Sequence, residues 1–417
     1  MSVTYSQDQE ISASDGQLGD YFGYSLALST HGHMAFVGAP FDNISASDQG
    51  SVYFFLSSSD QWIFQQKLFL NSGTTSDQFG SAIAVSADSS TLLVGVPQPL
   101  TNTAGKVCVY TNSDNTWIKQ TTLSASNSDG WFGSSLALSE DGNIVAIGAP
   151  QYGTAAGLVH IFNRITSNLG TVWIHQKQIP SPNGNNQLFG SSLSLSADGS
   201  VLLVGAVGGS NGYIFVNSDN TWIQQSAVLG NGISDAFGTS VALSFVGDIA
   251  LVGAPNHNSN QGAAYIYVYS DATWSAQIPL PLPSDVSAGN QFGSSVALGL
   301  GEDGATTAII GAPGANKTYI VKSSKNTWTK FQEISISDAT SVSFGNAVAL
   351  SGNGRIGFIA DSGFSSDLGT GYLFSIPTVI TLAETNSLIS YLPQTFLALV
   401  LLYSAISIIF LVTITQA

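Results

Sequence analysis

The dipeptide Phe-Gly recurs in phase along this 417-residue chain, at Phe22-Gly23, Phe79-Gly80, Phe132-Gly133, Phe189-Gly190, Phe237-Gly238, Phe292-Gly293 and Phe344-Gly345. Successive intervals are 57, 53, 57, 48, 55 and 52 residues. A period near fifty residues marks one supersecondary unit used repeatedly, so the chain is not to be cut by length into two or three ordinary domains. Each Phe-Gly opens the same series. A run of small and apolar residues (FGSSLALS) leads through a tight turn to an apolar run ending in Gly-Ala-Pro or a relative of it. A loop, a second apolar run such as GSVYFF, a polar turn and a Trp follow. That pattern reads as four strands per repeat: Gly permits close backbone approach, and Pro, which has no N–H to donate, ends its strand.

Trp62, Trp117, Trp173, Trp222, Trp274 and Trp328 each stand 15 to 18 residues before the next Phe-Gly, and five of them are followed three residues later by Gln. At Trp328 that place is Phe331, and Gln332 comes next. The seventh repeat has no Trp strand of its own. Tyr5, 17 residues before Phe22, occupies the equivalent place at the other end of the chain. The predicted fold is therefore all-β: a seven-bladed β-propeller of four-stranded antiparallel blades over residues 3–376, in which an N-terminal strand completes the last blade. Closing the circle in this way removes exposed sheet edges.

Phe-Gly followed by Gly-Ala-Pro, intact at Gly38–Pro40, Gly148–Pro150, Gly253–Pro255 and Gly311–Pro313 and degenerate in the other three repeats, resembles the FG-GAP repeats of integrin α-chain propellers and their bacterial and protist relatives. The resemblance covers about residues 3 to 376. It implies a binding or adhesion role at a cell surface and, in intact repeats, calcium loops between the first and second strands. Here those stretches (STHGHM, SADSST, SEDGNI, SADGSV, SFVGDI, LGEDGATT, SGNGRI) lack the alternating carboxylates that replace an ion's hydration shell. Asp141-Gly142 and its counterparts are read as hairpin turns, and no metal or other cofactor is expected.

Acidic groups outnumber basic ones by 26 to 10, for a formal charge of −16, which argues against a nucleic-acid partner. The single cysteine, Cys108, excludes an intramolecular disulfide and leaves the redox compartment open. No charged residue follows Glu384, and residues 395–414 are apolar apart from hydroxyls, long enough for a transmembrane helix after a linker at 377–394. A single-pass membrane protein with a C-terminal anchor is expected. A cell-surface location fits the resemblance, yet the N-terminus as written carries no secretory signal; orientation stays open, as does retention of the tail against its exchange for a lipid anchor.

No nucleophile elbow, phosphate-binding Gly loop or zinc motif is present, and the five histidines are scattered over the repeats. In an up-and-down blade the loops after the second and fourth strands emerge on one face, and here those are the long, variable ones. Tyr21 and Trp131 before their Phe-Gly pairs, and Phe41, Tyr152, His257 and Phe364 at or near the position after the Pro, are candidate ligand-binding residues on that face. The expected function is non-catalytic recognition of a protein or glycan. Alternatives are a hydrolase or lyase with its site at the channel mouth, or a structural surface protein.

Overall fold

The computed structural model describes residues 4–58, 61–99, 105–125, 130–168, 170–230, 233–301, 304–324, 327–336 and 341–376. Residues 4–375 form one unit of seven antiparallel sheets, each an up-and-down meander. The first blade runs through Ser25–Leu28, Met34–Ala39, Ser51–Ser58 and Gln61–Leu68. The seventh takes Ala347–Leu350, Ile356–Asp361 and Thr370–Ser375 from the end of the chain and Ser6–Ile11 from its start. Ser6 lies opposite Ser375 and Ile11 opposite Gly371, so the N-terminal strand closes the ring as the spacing of Tyr5 predicts. The fifth blade departs from the plan. Its fourth strand is split into Thr273–Trp274 and Ile278–Pro279, in a stretch where Pro279, Pro281 and Pro283 withhold donors.

The repeat motif is a device for joining blades. All seven Phe-Gly phenylalanines are fully buried, and each packs on an aromatic or histidine ring of its own third strand, as in Phe22 on Tyr53 (5.3 Å) and Phe189 on Tyr213 (5.6 Å). The glycine after Phe has a positive φ in every repeat, between 88° and 96°, a region open to glycine at little steric cost. In five blades its N–H binds the carbonyl of the Gly-Ala-Pro glycine or its counterpart within the same blade, as in Gly133 to Gly148 at 3.0 Å, and in the seventh Gly345 binds Ala360 O at that place. Its own carbonyl faces the preceding blade and accepts the hydroxyl three residues past that blade's Phe: Ser25 to Gly80 at 2.6 Å, Ser135 to Gly190 at 2.6 Å, Ser192 to Gly238 at 2.8 Å, Ser240 to Gly293 at 2.8 Å and Ser295 to Gly345 at 2.7 Å. The Gly-Ala-Pro glycine is required at this joint because a Cβ on Gly38, Gly95, Gly148, Gly205, Gly253 or Gly311 would strike the next blade's Phe-Gly carbonyl.

The outer strands carry a second set of joints. Gln9, Gln66 and Gln332, four residues past Tyr5, Trp62 and Trp328, each hold the backbone N–H and C=O of the next blade's aromatic residue, at 2.7 to 3.1 Å, on Trp62, Trp117 and Tyr5 respectively. In three blades the Gln three residues past Trp accepts the next indole N–H instead, Gln120 from Trp173, Gln176 from Trp222 and Gln225 from Trp274, whereas Gln65, in the blade where Gln66 makes the backbone joint, does not. Gln277, in the broken strand of the fifth blade, makes no such bond, and its Nε2 is buried without a partner.

The Asp-Gly stretches are turns. Asp141 Oδ1 accepts the Ser139 hydroxyl at 2.7 Å and the Asn143 N–H at 2.9 Å, while Ser139 Oγ accepts the Ile144 N–H at 2.9 Å. Asp198 with Ser196 and Asp88 with Ser86 repeat the arrangement, so each carboxylate is occupied in closing its own hairpin. Among the described residues no group of three or more His, Cys, Asp or Glu side chains could hold a metal ion. The linker 377–394 and the apolar segment 395–414 lie outside the described residues. Among those described, no helix is long and apolar enough to cross a membrane.

His160 stands at a third-strand position that holds Tyr53, Tyr213, Tyr265, Tyr319 or Tyr372 in five other blades. It is 1% exposed, packs against Phe132 and lies 3.1 Å from His175 Nε2 through Nδ1. Burial, reinforced by His175, pushes its pKa down to about 4, so the fold holds a neutral ring that the unfolded chain protonates near pH 6.5. The associated stability is complete above pH 6.5 and is lost as pH falls toward 4, by up to about 3 kcal/mol. Urea unfolding between pH 7.5 and 4.5 is expected to show this loss in the native protein and a shallower pH dependence in His160→Tyr; identical profiles would refute it.

Candidate binding face at the long-loop mouth

The two kinds of loop segregate as an up-and-down blade requires. Turns between the third and fourth strands bond to those between the first and second, as in Ser57 to His33 (2.9 Å) and Asn217 to Ser200 (2.8 Å), which defines the short-loop face. On the opposite face, the loop between the second and third strands of one blade bonds to the segment entering the next. Tyr21 N–H binds Asp367 O (2.9 Å), Gln78 N–H binds Asp48 O (3.0 Å), Leu188 N–H binds Ala155 O (2.9 Å) and Gln291 N–H binds Asn260 O (2.8 Å).

These interlocked loops hold the residue before Phe-Gly in the left-handed region in six of seven blades: Tyr21 (φ 55°), Gln78 (54°), Trp131 (63°), Leu188 (50°), Ala236 (54°) and Gln291 (58°). Such values cost energy for residues other than glycine and are kept where surrounding structure imposes them. Gln78, Trp131 and Leu188 thereby line a cavity of about 370 Å³ that spans the first four blades. Tyr24, Ser81, Ser134 and Ser191, each two residues past its Phe, complete the inner wall, with Pro97, Pro99, Pro150, Gln151 and Val207 around the rim. No carboxylate, histidine, lysine or arginine lines it.

The six sequence-predicted residues are distributed unevenly around this mouth. Tyr21 and Phe41 meet at 5.2 Å between ring centroids, and Tyr24 closes on Phe41 at 6.0 Å, so the first blade carries a three-ring cluster. A hydrogen bond to Asp367 holds the Tyr21 phenol above its usual pKa. Trp131, 39% exposed, shares the cavity with Tyr24, 47% exposed. Tyr152 instead packs against the buried cluster between the second and third blades that contains Phe132 and Phe162. His257 is pinned to Asp235, Nδ1 to Oδ2 at 3.0 Å, and lies edge-on to Tyr265. Phe364 begins the short helical turn Phe364–Asp367 whose last residue supplies the partners of Tyr21. Tyr24 is the residue that single-position reasoning passes over. Its signal is comparative: the place two residues past Phe holds Ser, Thr or Asn in the other six repeats.

At the short-loop mouth, Val85, Leu138, Leu195, Leu243 and Leu298 narrow the channel to about 160 Å³, with Glu140 the one carboxylate on that lining and Phe245 and Leu300 exposed at its edge. Branched aliphatic side chains thus dominate this mouth, with Thr30, Ala87, Ala197 and Ser244 beside them.

The family model for the FG-GAP repeat matches residues 5–55 and 231–267, which take in the closing strand with the first two strands and most of the third of the first blade, and the corresponding inner strands of the fifth. No curated protein matches the chain in sequence. Among solved structures, hydrazine synthase of Kuenenia stuttgartiensis is similar over 91% of this chain and all of its own, with a TM-score of 0.56 and 16% identity. The WD40 repeats of RRP9 give a TM-score of 0.58 at 11% identity over 90% of this chain and all of theirs. The β-propeller domain of Cps50 (Swd1) from Myceliophteria thermophila gives 0.57 at 12%, again over 90% of this chain and all of its own. At these identities the likeness is one of fold.

Proposed function

We propose, from the match of the FG-GAP repeat model to residues 5–55 and 231–267 and from the seven-bladed fold, that the chain is a non-catalytic binding protein that recognises a protein or glycan through its long-loop face while tethered to a membrane by residues 395–414. The observation that carries the reading is the convergence of out-of-pattern aromatic rings, Tyr21, Tyr24, Phe41 and Trp131, at one mouth of the channel. Large, half-exposed rings on a rigid rim are effective anchors for a ligand, since they bury much area at small entropic cost. The cavity wall carries no carboxylate, histidine, lysine or arginine, and the reading invokes no cofactor. The tether is proposed from the sequence: twenty residues without a charge match the hydrocarbon thickness of a bilayer.

The test is capture of the full chain on immobilised mucin, fetuin, fibronectin and collagen. At least one of these is expected to retain it, and the double variant Tyr21→Gln, Phe41→Ser is expected to lose about tenfold or more in affinity, as anchor removal does. Phe245→Ser with Val246→Ser, on the short-loop face, is expected to bind as the native chain does. Unchanged capture by the first variant, or no capture by any surface, would overturn the proposal.

A further inference from the structure

The two residues of the cavity that depart furthest from the repeat are both aromatic, and they face it from different blades. Trp131 stands where the other repeats have Tyr, Gln, Leu, Ala, Gln and Ser, and Tyr24 stands where they have Ser, Thr or Asn. Between them the second blade contributes Gln78 and Ser81, and the third contributes Ser134 and Gln151.

Ser134 differs from its counterparts in a way that bears on what fills this space. The hydroxyl at its position is satisfied locally elsewhere: Ser81 on Gln78 O at 2.8 Å, Ser191 on Gly205 O at 3.3 Å, Thr239 on Ala236 O at 2.7 Å and Ser294 on Gln291 O at 2.9 Å. Ser134 Oγ is buried and has no hydrogen-bond partner, an unfavourable state for a hydroxyl taken out of water. A ligand that brings its own hydroxyls would satisfy it.

We infer that this cavity is a binding site for a neutral saccharide. Sugar rings present C–H faces that pack on aromatic side chains and an equator of hydroxyls that pair with amide and hydroxyl groups; Tyr24 and Trp131 supply the first kind of contact, and Gln78, Ser81, Ser134 and Gln151 the second. The lining carries no charged side chain, so it offers no countercharge to a sulfated, phosphorylated or carboxylated ligand. A volume of about 370 Å³ lies within the range of small-ligand sites. The inference rests on the long-loop face being the binding face and narrows its ligand to carbohydrate.

The test uses the full chain in a detergent without a sugar head group. Chitotriose, lactose, maltotriose and mannotriose serve as probes, followed by saturation-transfer NMR and tryptophan fluorescence. At least one trisaccharide or disaccharide is expected to bind saturably. Tyr24→Ser and Trp131→Gln, which install residues the repeat itself uses at those places, are each expected to weaken it about tenfold or more, and Ser134→Ala by a smaller factor. Phe245→Ser reports on the opposite mouth and is expected to change nothing. Binding of none of the four sugars, or binding indifferent to both aromatic variants, overturns the inference. Selection of a displayed peptide that loses affinity in the same two variants, with no sugar bound, would preserve the binding face and reject carbohydrate as its ligand.

Discussion

Gly148→Ala is expected to destabilise the propeller by about 3 kcal/mol or more, at the upper end of what overpacking costs. The added methyl would lie against two fixed groups, the Gly190 carbonyl of the next blade and the Ser135 hydroxyl that binds that same carbonyl. Neither is the free end of a flexible side chain, so relief requires the third and fourth blades to move apart. Their shared cluster, with Phe189, Val204, Ile161 and Tyr213, would then lose its packing. Gly184→Ala is the comparison: at φ 79° with nothing nearby, it carries only the cost of a left-handed alanine, roughly 1–2 kcal/mol. Urea midpoints of the two variants separate a joint between blades from a general dependence on glycine. Equal shifts would mean that the close approach is not what glycine is there for.

Deletion of residues 1–11 is expected to have the largest effect, on the order of 5–10 kcal/mol from two buried side chains and a ladder of backbone bonds. Tyr5 and Ile11 are 3% and 5% exposed. The strand Ser6–Ile11 pairs with Thr370–Ser375, and through Gln9 and the Gln332–Tyr5 pair it links the sixth, seventh and first blades. Without it the seventh blade ends on an unpaired third strand of buried residues, which invites association between chains. The expected outcome is loss of cooperative unfolding and of monomeric yield, restored in part by a peptide of residues 1–12 added in trans. A deletion variant that unfolds at the native midpoint would show that the ring does not depend on its clasp.

The blades were legible in the sequence because each is specified locally and the specification is repeated. Phe-Gly, Gly-Ala-Pro and Trp announce strand boundaries within one repeat, and Tyr5 could be placed by its interval alone. What those residues do was not legible, because their partners sit one repeat away: Gly148 is explained by Gly190, and Gln66 by Trp117. The glutamines illustrate the limit. Their recurrence after Trp is plain, but whether such a side chain takes a neighbour's backbone or its indole depends on a shift of one residue along a strand, and that difference acquires meaning only when blades are set side by side. The candidate site divides in the same way. Trp131 and Tyr21 stand out because they interrupt a pattern. His257 and Tyr152 stand out equally, yet a buried carboxylate and an inter-blade cluster claim them. Tyr24 is hidden by being adjacent to the motif itself.

The pairing of Ser6 with Ser375 has a consequence for how the molecule presents itself. In the other blades the third and fourth strands are joined by a hairpin on the short-loop face; in the seventh that hairpin is absent, and the two ends of the propeller chain occupy its place. Ser6 and Ser375, side by side where the other blades have a hairpin, therefore lie across the propeller from the rim bearing Tyr24 and Trp131.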